Sequence, residues 1–249
     1  MRPSYDFLYL SPHLDDVVLS CAGQIRCRVR EEKSVLVYTA MAAEKLPAPL
    51  QPNATRFLML CRLGVDAGRV RREEDTRACA RLGAEWKHDD LLEAIFRYDD
   101  GGRELYPTHE SLFGPVQEKD EALVGILAER FAALPPASAV FAPLGAGGHV
   151  DHQLVRRVAE QVFGATLAYY EDYPYAARPG VVQRLTQPRR EWAVAAIRLD
   201  AEARRARQEA ILEYGSQLPM LFGNRVAFQW KDRWYLWRRG GERIWRHRA

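Results

Sequence analysis

Residues 5–40 constrain the fold more than any other part of the chain, because their apolar period changes twice. Phe7, Leu8, Tyr9 and Leu10 form a strand-like run that Pro12 stops. From residue 16 the spacing becomes helical: Val17, Val18, Ala22, Ile25 and Val29 share one face, while Arg26, Arg28 and Arg30 take the wet side. Ser34 to Ala40 is again strand-like. Strand, helix, strand in this order implies a parallel pair joined by a right-handed crossover.

The alternation continues. Helices are expected at 55–63, 68–82, 116–134 and 150–163, and strands at 84–92, 138–144 and 166–172. The helix at 68–82 stops at Gly83, and its mixed charges read as a solvated face. Two long loops, 41–54 and 96–115, lie between these elements, and the second is expected to wall a pocket. The fold class is therefore α/β, a mostly parallel sheet between helices. Past residue 175 the order loosens to a strand at 192–199, a helix at 200–214 and two aromatic segments, Val226 to Trp230 and Trp234 to Trp237. These two read as an antiparallel hairpin turning at Lys231-Asp232-Arg233. With no linker composition anywhere, residues 1–249 are expected to be one domain, with a core at 1–175 and a C-terminal β-hairpin extension at 176–249.

A chain of 249 residues, 47% hydrophobic, can bury one large core. No apolar run approaches a membrane span and no signal pattern opens the chain, so a soluble, cytoplasmic protein is expected. Cys21, Cys27, Cys61 and Cys79 lack C-x-x-C spacing and read as reduced, mostly buried thiols. A net charge of +3 is too small to imply a nucleic-acid partner.

Chemistry begins where the first strand ends, at His13-Leu14-Asp15-Asp16. His13 and Asp16 are three apart and can converge on one point, while Asp15 between them diverges. Taken alone, this cluster has a plain alternative: either aspartate can be the N-cap of the following helix. A second cluster, Gly147-Gly148-His149-Val150-Asp151-His152, follows the second apolar run, Ala139 to Leu144. Of 6 histidines in the chain, three fall in these two clusters beside three aspartates. In an open α/β sheet, ligands bind at the carboxyl ends of the strands, where both clusters would lie.

His13, Asp16 and His152 make a two-imidazole, one-carboxylate set that suits a divalent ion such as zinc and leaves a position open for water. Such an ion acidifies bound water and polarises a carbonyl. Asp15, beside a ligand but aimed elsewhere, is the candidate general base. His149, one helical turn from His152, is the candidate that stabilises an oxyanion or protonates a leaving amine. Asp151 is read as the carboxylate behind the ligands that orients an imidazole.

The paired motifs His13-Leu14-Asp15-Asp16 and His149-Val150-Asp151-His152 resemble those of the PIG-L/LmbE-type zinc N-deacetylases, the N-acetylglucosaminyl deacetylase family. The resemblance extends to the Arg71–Gly83 helix and to Tyr170-Glu171-Asp172-Tyr173-Pro174-Tyr175. It implies a Rossmann-like sandwich that removes an acetyl group from an amino-sugar conjugate, a small N-acetylated molecule. It also implies a Zn2+ cofactor, with another divalent ion such as Fe2+ as the alternative. By position the ligands are His13, Asp16 and His152, the base is Asp15, and the acid or oxyanion partner is His149. Arg71 resembles a substrate-contacting arginine, and Glu93 stands where many members have an aspartate that touches the sugar. Leu14 and Val17 replace the family's frequent Pro and Glu. Gly145-Ala146-Gly147-Gly148 stands where some members carry a tyrosine, so one oxyanion contact is expected to be missing.

Other readings stay open. The N-acyl substrate can be a non-sugar compound, an antibiotic or a glycolipid. A metallophosphoesterase needs more ligands than His88, His109 and His247 supply. A nucleic-acid binder would use Trp230, Trp234, Trp237 and Trp245 interleaved with Arg233, Arg238, Arg239, Arg243, Arg246 and Arg248; solvated arginines on an aromatic core segment are the plainer reading.

Overall fold

The computed structural model describes residues 4–248. The first strand, β1 (Tyr5–His13), leads into helix α1 (Asp16–Arg30) and then β2 (Val35–Met41), a parallel neighbour with His13 opposite Met41. Helices α2 (Pro52–Cys61) and α3 (Ala67–Leu82) follow, the latter stopped by Gly83 in the left-handed conformation. Strand β3 (Glu85–His88), a one-turn helix α4 (His109–Leu112), α5 (Ala122–Ala132) and β4 (Ala137–Pro143) complete the first half. Then come α6 (Val150–Phe163), β5 (Leu167–Tyr170), α7 (Val181–Leu185), β6 (Trp192–Ile197), α8 (Ala201–Ile211), α9 (Leu218–Phe222), α10 (Arg225–Arg239) and β7 (Glu242–His247).

The seven strands form one sheet in the order β3-β2-β1-β4-β5-β7-β6. From β3 to β5 all pairs are parallel, and β7 joins β5 and β6 antiparallel. Helices α1, α3 and α8 pack together, as do α5 and α6. The mostly parallel α/β expectation holds. In this order the winding reverses between β1 and β4, and the carboxyl ends of two such strands diverge to leave a crevice. The two histidine clusters follow those two strands.

The hairpin expected at 226–237 is not formed. These residues lie in α10, where Asn224 accepts a bond from the Ala227 N–H at the N-terminus and Gly240, at φ 75°, ends the helix. Val, Trp and Tyr favour strands only weakly when packing disagrees. Phe228, Asp232, Tyr235 and Leu236 are buried at helical spacing, and Asp232, assigned to the turn, is inside, paired with Arg207. The antiparallel partner of β6 is instead β7. The solvated face expected for α3 holds for Arg69, Glu73, Arg77 and Arg81, which are exposed, but the helix carries a second, buried set of charges. Arg71, Glu74 and Asp75 are buried: Arg71 pairs with Glu93, and the chain after α8 covers the other two, with Glu74 accepting bonds from the Ser216 N–H and hydroxyl and Asp75 from Tyr214. All four cysteines are free thiols, three of them buried.

Candidate active site

β1 carries His13 to the crevice, and the chain turns sharply to enter α1. Asp15 occupies the N-cap position at φ 138°, a region that L residues rarely adopt, and its side chain makes no capping bond. The plain N-cap reading therefore does not account for this carboxylate. Asp16 Oδ2 instead accepts a bond from the His13 N–H at 2.9 Å, which folds the turn back on itself. After β4, Gly145, Gly147 and Gly148 all take positive φ and deliver His149 to the N-cap of α6, one turn before His152. Gly147 is required sterically as well: a Cβ there would stand 2.7 Å from the Tyr175 ring.

These turns bring the two clusters together. Asp16 Oδ2 lies 3.2 Å from His13 Nδ1 and 3.2 Å from His152 Nε2. Donors about 2.1 Å from an ion at tetrahedral angles stand roughly 3.4 Å apart, and both separations are close to that value. The third imidazole, His149, belongs to the same group: donor atoms of His13, His149 and His152 lie within 4.8 Å of one another. Behind them stand two buried carboxylates. Asp151 Oδ2 is 2.8 Å from His13 Nε2, and Asp172 Oδ1 is 2.7 Å from His152 Nδ1. Such outer carboxylates fix ring orientation and raise ligand basicity.

The charges follow from this arrangement. Burial disfavours the His13 cation, but the bonds to Asp151 and Asp16 outweigh it and raise the pKa well above the ordinary imidazole value. Burial opposes His152 in the same way, yet Asp16 and Asp172 lift it to about 9. A field that favours a proton on these rings also favours a metal cation. Asp16 resists burial and is held well below the carboxylate range by His152 and His13. Asp15 goes the other way, raised well above it by burial and by the adjacent Asp16 charge, with Arg71 pulling against the rise. His149 is lowered well below the ordinary value by burial and by His13. Its Nδ1 accepts a bond from the Asp151 N–H at 3.2 Å, which leaves the proton of the neutral ring on Nε2.

A cavity of about 740 Å³ opens over this group, and His13, Asp15, Asp16 and His149 face it together with Arg71 and Glu93. Arg71 is an ion-pair partner of Glu93, so the two expected substrate contacts form one unit. Arg72 turns away and donates to the carbonyls of Ala42 and Asp89. His152 and Asp151 lie deeper, fully buried. Pro107, Thr108, Leu112 and Phe113 line the cavity, as expected of the loop at 96–115.

Sequence reasoning missed four participants. Asp172 follows β5 as His13 ends β1, so the strand-end rule could have found it. Arg97 donates to Asp151 Oδ1 at 2.6 Å and also meets Asp120 at 2.8 Å; nothing periodic marks either residue. Tyr175 lines the cavity with its ring 6.2 Å from that of His152. Its only signal was its place in the resembling segment.

Residues 8–163 match the model of the PIG-L family, described as GlcNAc-PI de-N-acetylase. A 2'-N-acetylparomamine deacetylase of Streptomyces fradiae is 33% identical over 184 residues, 70% of this chain. The matched stretch spans 59% of that relative's length. Among solved structures, a deacetylase of the teicoplanin biosynthesis pathway superposes with a TM-score of 0.83 at 27% identity, covering 98% of this chain and 97% of that one. The zinc-inhibited form of a teicoplanin deacetylase gives a TM-score of 0.81 at 25% identity, over 98% and 97% of the two chains.

Proposed function

The chain belongs to the PIG-L family, and from that premise we propose that it is a metal-dependent N-deacetylase that removes an acetyl group from an amino-sugar conjugate. The observation that carries this reading is that His13 Nδ1 and His152 Nε2 each lie 3.2 Å from Asp16 Oδ2, beside a carboxylate, Asp15, that makes no capping bond. His13, Asp16 and His152 would hold the ion, with zinc the best match to two imidazoles and one carboxylate. When bound, it supplies Lewis acidity toward the amide carbonyl and toward water.

The chain's own groups do the rest. Asp15, whose pKa burial and Asp16 raise, is a stronger base than an ordinary carboxylate and is suited to take the proton of the attacking water. His149, neutral and protonated on Nε2, donates a hydrogen bond to the oxygen where negative charge develops, and needs no reorganisation to do so. Tyr175 stands on the same side, against the space where a side chain at 147 would be. Asp151 and Asp172 keep the two ligand rings from rotating. The Arg71–Glu93 pair offers a guanidinium and a carboxylate to sugar hydroxyls along one wall.

The test is direct. The purified protein, given Zn2+ and an N-acetylglucosaminyl conjugate, should release acetate and a free amine in equal amounts. Absence of amine with every N-acetyl sugar offered, or release of phosphate from a phosphoester by the same site, would remove the assignment.

A further inference from the structure

The aromatic C-terminal segment takes no part in the site described above, and its helix carries an unusual outward face. Successive residues of an α-helix turn by about 100°, which places Val226, Trp230, Trp234 and Trp237 within roughly 80° of arc. The buried residues of α10, Phe228, Asp232, Tyr235 and Leu236, lie on the opposite side. The four apolar side chains therefore point away from the protein. They are 67%, 74%, 42% and 79% exposed, respectively. Large apolar side chains scattered singly on a surface need no explanation, but an aligned stripe about 16 Å long does.

We propose that this face of α10 docks the protein on an anionic lipid surface. Charge selects that occupant. Arg225, Lys231, Arg233 and Arg238 are exposed and flank the stripe on both sides, while the helix's one acid, Asp232, is buried against Arg207. A helix with tryptophans on one face and cations along its margins is suited to lie in the headgroup layer of a bilayer. Beside Trp234, a small cavity lined by Arg178 and Arg238 offers guanidinium groups to a headgroup phosphate. A second copy fits worse, because a two-fold contact through this stripe would set the cations of one helix against those of the other. A single-stranded nucleic acid also fits worse, since its binders use a basic groove, whereas this stripe is a crest.

Between α10 and the catalytic cavity lies α9, with Phe222 packed on Phe228 at 5.1 Å and Met220 and Leu221 on the cavity wall. Docking through α10 would thus bring the cavity mouth close to the lipid surface. Among the described residues no helix is long and apolar enough to cross a membrane.

The experiment uses the full chain with vesicles of phosphatidylcholine alone and of phosphatidylcholine and phosphatidylglycerol in equal parts. Co-sedimentation with the mixed vesicles is expected, weakening with salt and accompanied by a blue shift of tryptophan emission. Trp230→Ala/Trp237→Ala should lose both signals while its thermal melt is unchanged. Removing Arg225, Arg233 and Arg238 together should weaken binding to the mixed vesicles by roughly fivefold per cation and leave the phosphatidylcholine control as it was. The proposal fails if wild-type protein ignores the mixed vesicles or if the tryptophan variant binds them equally. It also fails if light scattering shows a dimer that the tryptophan variant abolishes, or if a single-stranded oligonucleotide, and not lipid, is what the variant stops binding.

Discussion

Asp15 stands at φ 138°, where a side chain is strained, and it is buried beside Asp16. Such outliers cost about 1–3 kcal/mol and persist where surrounding structure holds them for a task. Asp15→Gly should therefore melt at a higher temperature than the wild type while losing activity. Asp15→Asn, which keeps the shape, should retain its metal content and lose roughly a hundred- to ten-thousand-fold in turnover. Metal analysis beside amine release separates the base from a ligand, and near-normal turnover in Asp15→Asn would remove it from the mechanism. Arg71 and Arg72 are neighbours with different tasks. Arg71→Ala should raise KM for an N-acetylglucosaminyl conjugate more than for a minimal N-acetyl amine, with kcat little changed. Arg72→Ala should do neither, because its guanidinium is spent on the Ala42 and Asp89 carbonyls; a larger effect at Arg72 would reverse the assignment. At Gly147, an added Cβ would meet the Tyr175 ring at 2.7 Å, whereas at Gly164, also at positive φ, it would meet nothing within 4 Å. Gly147→Ala should depress turnover far more than Gly164→Ala, and equal losses would show that backbone strain, not the tyrosine, is responsible.

At the scale of elements, the helices are tied to the sheet by buried charge as well as by apolar contact. Arg207 of α8 is fully buried and donates to Asp232 of α10, to Glu242 of β7 and to the Leu19 carbonyl in α1. Glu242 also accepts bonds from the Gly23 and Gln24 N–H groups of the same α1 that begins at Asp16. One guanidinium thus joins four elements. Removing one member of a buried ion set leaves the others charged without a partner, which costs about 3–5 kcal/mol. Arg207→Ala should shift the urea midpoint by an amount of that order, whereas substitution of the exposed Arg205 should leave it within error. A small shift at Arg207 would mean that the C-terminal segment is held by apolar packing alone.

For the whole molecule, the site exists only where the winding of the sheet reverses, so folding and metal binding are linked. An ion that binds the folded state at a concentration a hundred times its Kd adds about 2.7 kcal/mol of stability. Chelation should therefore abolish amine release and lower the melting temperature together, and His13→Ala or His152→Ala should show neither the metal nor the response to chelator. An unchanged melt on chelation would separate the ion from the fold. The linear chain determined the alternation of strand and helix through its apolar periods, and it determined the two histidine–aspartate motifs proposed to be catalytic, because a histidine three residues from an aspartate or another histidine at a strand end is a local pattern. It did not determine α10. Val226–Trp237 has the composition of a strand, and only the burial of Phe228, Asp232, Tyr235 and Leu236 against other parts of the chain makes it a helix. Nor did it reveal Asp172, Arg97 and Tyr175 as partners of His152, Asp151 and the cavity, or Arg71 and Glu93 as a pair. Those contacts join residues 20 to 54 positions apart. Periodicity carries information about a residue's own element and its solvent side. Which buried charges meet is fixed by how the elements pack, and burial makes each unpaired choice costly enough that only the tertiary structure decides it.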